Sequence, residues 1–80
     1  MLRIENKTKL SEAEVIKKAI EYFSRGYGLE VKAQSDSEVD FEGGGGGVSI
    51  ATRVEDKKTI VEAISREWDF QLKEFLTSIS

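Results

Sequence analysis

The chain contains no cysteine, no histidine and no proline. Without cysteine there is no disulfide and no thiolate metal site, so 80 residues must be held by an apolar core alone. A chain this short buries roughly 60 to 65% of its unfolded surface, which leaves a thin stability margin. Without histidine, the commonest general base and the usual activator of a serine or threonine nucleophile is missing. A lysine or carboxylate base would need a cleft that shifts its pKa, and no residue pattern marks one. The chain is therefore read as non-enzymatic, with no catalytic residue, no metal-ligand set and no cofactor. Without proline, no X-Pro isomerisation slows folding.

Excess charge and long apolar runs are also scarce. Twelve basic and 15 acidic residues are interspersed and sum to −3. That balance lacks the basic footprint of a nucleic-acid binder and of an anionic-membrane anchor. No run approaches the ~20 apolar residues of a membrane span. The opening MLRIENKTKL has no apolar signal-peptide core. A cytoplasmic location is the resulting expectation.

Polar–apolar alternation fills the middle of the chain. Leu29, Val31 and Ala33 alternate with Glu30, Lys32 and Gln34, and Val39 and Phe41 with Glu38, Asp40 and Glu42. Val48, Ile50, Thr52 and Val54 alternate with Ser49, Ala51 and Arg53. Period-two segments in succession predict an antiparallel meander with one apolar face. Gln34-Ser35-Asp36-Ser37 is a turn sequence between the first two of them. Leu2 and Ile4, alternating with Arg3 and Glu5, predict a short first strand.

Helical periodicity flanks the meander. Ser11 and Glu14 form a capping box, with Leu10 and Val15 at the hydrophobic-staple positions. Ile16, Ala19, Ile20 and Phe23 share one face, and Gly26 or Gly28 stops the helix. At the other end, Thr59 and Glu62 form a second capping-box pattern, with Asp56 as a rival N-cap. Ile60, Ile64, Trp68, Leu72, Phe75 and Ile79 recur at spacings of three and four, with Val61 and Leu76 beside them. This spacing predicts a helix over Thr59–Ser78, about 30 Å long. A four-stranded sheet is only ~15 to 20 Å wide, so the Phe75-Leu76-Ile79 end would overhang and need a partner.

The predicted fold is one α+β domain over 1–80 with element order β-α-β-β-β-α. Its antiparallel four-stranded sheet has the order 1-4-3-2, with two helices packed on one face.

Few residues stand out as sites. Gly43 to Gly47 precede a strand and follow Asp40 and Glu42, the wrong context for a phosphate-cradling loop. They read as a mobile hairpin tip with one or two of them inside the ladder as a bulge, or as bare backbone that lets another surface approach. Glu38, Asp40 and Glu42 share one strand face about 6.5 to 7 Å apart, too far for one cation. They read as a solvated face, with Lys32 and Arg53 as cross-strand counter-charges. Phe70 stands off the long stripe among Glu67, Glu74, Arg66 and Lys73. It either packs on the flank of the first helix, near Val15 and Tyr22, or is an exposed anchor for another chain. Trp68 reads as core, its indole N–H reaching a turn carbonyl or water.

A short first strand, a capped helix ending in Tyr27-Gly28-Leu29-Glu30, Val39 and Phe41-Glu42-Gly43, a glycine-rich link and a helix with Ile60, Ile64 and Leu72 form a pattern over most of the chain. It resembles the small polyhydroxyalkanoic-acid-system (granule-region) proteins, a half of the TATA-binding-protein fold, and a shortened helix-grip domain of the lipid-transfer type. The granule family tends to carry a longer strand region before its last helix. The helix-grip likeness implies an apolar ligand held between sheet and helix.

The first functional reading is a non-catalytic interaction module that self-associates or binds another protein, with Phe70, Phe75, Leu76 and Ile79 as partner contacts. The alternative is a binder of small apolar, lipid-like molecules through Phe41, Ile64 and Trp68. A cavity of ~300 Å³ or more would be needed for that.

Overall fold

A computed structural model describes residues 1–80. The elements are β1 (Leu2–Thr8), α1 (Glu12–Ala19), a π-helical continuation (Ile20–Gly26), β2 (Glu30–Gln34), β3 (Glu38–Gly43), β4 (Gly46–Glu55), β5 (Lys58–Arg66) and α2 (Asp69–Ile79). The fold is α+β with an antiparallel sheet and two helices, but the sheet has five strands in the order β1-β5-β4-β3-β2. The expected order 1-4-3-2 gains one strand between its first and second members.

That strand replaces half of the expected long helix. Residues 58–66 pair on both sides, Ile4 with Ala63 and Asn6 with Val61 on β1, Ile50 with Ala63 and Thr52 with Val61 on β4. Thr59 and Glu62 are therefore ladder residues and not a cap. The reason is β-branching: Thr59, Ile60, Val61 and Ile64 favour the pleated surface of a sheet. Ile60 and Val61 are both buried, one on each face, which hides the alternation a strand normally shows. Ile60 lies on the face away from the helices, directly between Lys7 and Arg53. Arg53 reaches across β5 to Glu5 and also pairs with Glu55 and Glu62, so its stem helps cover Ile60. Arg53 is thus drawn toward β1, and does not serve the acids of β3 as expected.

The turn that makes room for β5 lacks the usual signal. Glu55 pairs with Lys58, so Asp56 and Lys57 form a two-residue hairpin loop. Both have positive φ, 50° and 65°, as a type I′ turn requires. Asn-Gly is the sequence that normally marks this turn.

The helix-covered face carries the core. Val39, Phe41, Val48, Ile50, Val61 and Ala63 face Val15, Ile16, Ala19 and Phe23 of the first helical stretch and Leu72, Phe75, Leu76 and Ile79 of α2. The first helix begins as its capping box dictates: the Glu14 amide donates to Ser11 Oγ at 3.2 Å, and the Ser11 amide to Glu14 Oε1 at 3.1 Å. The same pair of bonds, the backbone one foremost, holds the Glu14 carboxyl below its usual value. The Ser35 hydroxyl accepts from the amides of Ser37 and Glu38 and closes the β2–β3 turn. In β2 the alternation breaks. A register shift between Val31 and Ala33 leaves Ala33 exposed, while Leu29, just ahead of the strand, is buried.

Replacing Asp56-Lys57 by Asn-Gly puts at these two left-handed positions the residues that best tolerate them. We expect about 1 kcal/mol of stabilisation, read as a melting temperature raised by roughly 4 to 8 °C. A lower melting temperature would rule out the two-residue hairpin.

Candidate interaction surface

A ladder of aromatic rings runs from the core to the surface. Phe23 touches Phe41 and Phe75 at centroid distances of 5.4 and 5.5 Å. Tyr22 touches Phe75 at 5.5 Å and Tyr27 at 5.4 Å, and Tyr27 meets Trp68 edge-on at 5.5 Å. Such tilted and edge contacts suit the ring quadrupoles. The inner three rings fill the space between sheet and helices. The outer end of the ladder is open, since Tyr27 is 46% exposed.

Phe70 takes no part in this ladder. It is the second residue of α2, after Asp69, and shares a helical row with Glu74, four residues on. Glu74 accepts a hydrogen bond from the Tyr22 hydroxyl at 3.3 Å, so this row is the one turned toward the Tyr22–Tyr27 pair. Phe70 itself is 67% exposed. It therefore does not pack on the flank of the first helix, where Tyr22 is met by Phe75 and Glu74 instead.

Trp68 anchors the outer end of the ladder to the sheet. Its indole N–H donates to the Gly43 carbonyl at 2.9 Å, and its backbone N–H donates to Ser65 Oγ at 3.1 Å. The glycine run explains itself here. Gly43 pairs with Gly46, so only Gly44 and Gly45 form the loop, with φ of 58° and 80°. Gly43, Gly46 and Gly47 lie within strands, so the run is a two-residue type I′ hairpin loop flanked by ladder glycines. A Cβ on Gly44 would come within 2.8 Å of the Trp68 ring, and one on Gly46 within 2.0 Å of the Arg66 carbonyl oxygen. The bare backbone admits a close approach, but the approaching surface belongs to the same chain.

The remaining expected site residues scatter. Phe75, Leu76 and Ile79 are buried in the chain's own core. With α2 only 11 residues long, no overhanging end exists for a partner to cover. Of the three residues considered for an apolar ligand, Phe41 is buried under the helices and Trp68 caps the hairpin. Ile64 pairs with Arg3 and Ser49 on the opposite sheet face. They do not line one space. Glu38, Asp40 and Glu42 stand exposed on that same far face.

Tyr27 was missed in the sequence because it follows the helix and belongs to no periodic stripe. Its only signal was its place before Gly28, whose φ of 78° turns the chain back toward β2. No protein-family model matches the chain, and no curated protein matches it. No helix is long and apolar enough to cross a membrane.

Two outcomes test this geometry. Substituting alanine at Gly45 costs about 1 kcal/mol through backbone strain alone, and at Gly44 about 2, because the indole is also displaced. The loss at Gly46 is larger, on the order of 3 kcal/mol, because the clash is with backbone. Urea unfolding midpoints give the order, and Trp68 emission changes for Gly44→Ala but not for Gly45→Ala. A reversed order refutes the packing. The second outcome concerns Tyr22, whose hydroxyl is pushed above its ordinary value of 10, chiefly by burial and then by Tyr27 and Glu74. A raised folded pKa means that its contribution is complete below pH ~10 and is lost as pH climbs through the folded value. Tyr22→Phe should therefore make unfolding less sensitive to alkali, as seen in melting temperatures above pH ~10.

Proposed function

We propose that this chain is a non-catalytic interaction module that self-associates through the exposed row of α2 that carries Phe70. The observation that carries the reading is Phe70, a whole aromatic ring left 67% exposed in the first turn of α2. A small domain with a thin margin has every reason to bury such a side chain, and it buries Phe23, Phe41 and Phe75. Exposed aromatic side chains of this kind act as binding anchors.

The surroundings favour a second copy. The patch is flanked along the chain by Arg66 and Lys73 and by Glu67, Asp69 and Glu74. With both signs at hand, a two-fold related copy can set acid against base around an apolar centre. The granule-region likeness rested on a last helix bearing Ile60 and Ile64, and those two residues lie in β5 instead. The apolar-ligand reading loses ground, since its three residues lie in separate places and aromatic rings occupy the sheet–helix space.

Sedimentation equilibrium at high micromolar concentration provides the test. The wild-type chain should form dimers, and Phe70→Asp should weaken them at least tenfold, as truncation of an anchor does. Because Phe70 is exposed, the variant keeps its fold and its circular dichroism. A strict monomer that Phe70→Asp leaves unchanged would remove the proposal.

A further inference from the structure

The sheet ends in two edge strands, β1 and β2, and the two edges differ. An edge presents a row of unpaired amides and carbonyls, which a chain either blunts or pairs. β2 is blunted: it has five residues, and the register shift between Val31 and Ala33 breaks its line. β1 is not. Its seven residues pair with β5 in unbroken register from Leu2 to Thr8. No backbone group of residues 2–8 takes part in a hydrogen bond outside the strand ladder. The outer edge of β1 has no partner within the chain.

The side chains of β1 divide by face. Ile4 and Asn6 lie opposite Ala63 and Val61, and so share the helix-covered face. Arg3, Glu5 and Lys7 alternate onto the other. Arg3 and Lys7 belong to none of the protein's ion pairs. Glu5 meets Arg53 through Oε1 alone, which leaves Oε2 open. Glu5 also stands directly opposite Glu62, a like charge that a further cation would offset.

These charges discriminate between the ways in which two copies of β1 can pair antiparallel about a two-fold axis. An axis at Glu5 gives the longest overlap, but sets Glu5 against Glu5 and Arg3 against Lys7. An axis at Asn6 joins Glu5 to Lys7, but sets Arg3 against Lys9. It also requires pairing by Leu10, whose amide and carbonyl are already held by Thr8 and Thr59. An axis at Ile4 sets Arg3 against Glu5 on both sides of the axis, with Ile4 on Ile4 and Leu2 on Asn6. Opposite charges facing each other across strands stabilise and like charges oppose, so this register is the one selected. It also covers Leu2 and Ile4, which the chain leaves half-buried. Lys73 and Thr77 of α2 border the same edge, around a hollow of about 350 Å³ shared with Ile4 and Asn6. Thr77 lies two helical turns from Phe70 and shares its row, so this pairing brings the α2 rows of the two copies alongside each other.

We infer that β1 pairs antiparallel with β1 of a second copy about a two-fold axis at Ile4, joining the two sheets into one. This rests on the self-association proposed above and supplies its geometry.

The chain has no cysteine, so Ile4→Cys introduces a single thiol. Residues paired on the axis have Cα atoms about 4.5 to 5.5 Å apart, within reach of a disulfide. The two copies of position 5 are offset along the strands to about 8 Å, beyond that reach. Under mild oxidation of the full chain at high micromolar concentration, Ile4→Cys should form covalent dimer about tenfold faster than Glu5→Cys or Asn6→Cys. Arg3→Glu, at an exposed and unpaired site, should weaken the dimer about fivefold in sedimentation equilibrium with its circular dichroism kept, and Arg3→Glu/Glu5→Arg should restore it. Cross-linking and charge rescue together uphold the pairing. A dimer that Phe70→Asp weakens, but that neither cross-links through Ile4→Cys nor responds to Arg3→Glu, overturns the strand pairing and leaves self-association standing. Faster cross-linking through Glu5→Cys or Asn6→Cys overturns it too. So do oligomers that grow past the dimer, as β1 pairing with β2 of the next copy would give. A strict monomer overturns both readings.

Discussion

One-sided burial is the constraint on which the rest of this molecule depends. Fifteen side chains are enclosed between one face of the sheet and the two helical stretches. The chain has no cross-link to replace that burial. Removing a large ring such as Phe75 from such a core typically costs about 3 to 5 kcal/mol, much of what a domain of this size has. The far face, rich in charge, adds little by comparison. Its ion pairs on Arg53 are half-exposed and screened, and pairs of that kind contribute about 0 to 1 kcal/mol.

The two hairpins and the start of α2 serve the same burial. Asp56-Lys57 and Gly44-Gly45 both use positive φ, but only the second does so with residues that bear no steric cost. The chain accepts strain at the first because β5 can then lie between β1 and β4 and present Val61 and Ala63 to the core. At the other end of β5, Ser65 and Gly43 catch Trp68 and set where α2 begins. Phe70 is left outside as a consequence of that placement. With α2 starting at Asp69, the Leu72-Phe75-Leu76-Ile79 stripe faces inward and Phe70 lies off it.

Much of this was legible. Ser11 and Glu14 announced the first helix, the alternation of Val39, Phe41, Val48 and Ile50 announced their inward face, and Leu72, Phe75 and Ile79 announced the last helix. Residues 59–66 misled because Ile60, Ile64 and Trp68 follow at intervals of four, which fits a helical wheel as well as a doubly buried strand. Adding these residues to a true helix produced an imagined overhang and assigned Phe75, Leu76 and Ile79 to a partner. Phe70 was distinguishable because it falls off the stripe under either reading.

The amino-acid sequence by itself determined the fold class, the inward faces of the central strands and the exclusion of histidine- and cysteine-based chemistry. These follow from residue type and local period, which act over a few residues. Only the tertiary structure decided that residues 58–66 form a strand and that Gly44-Gly45 make a tight turn under an indole. Each of those depends on partners tens of residues away, and the burial they share exists only once the chain has brought them together.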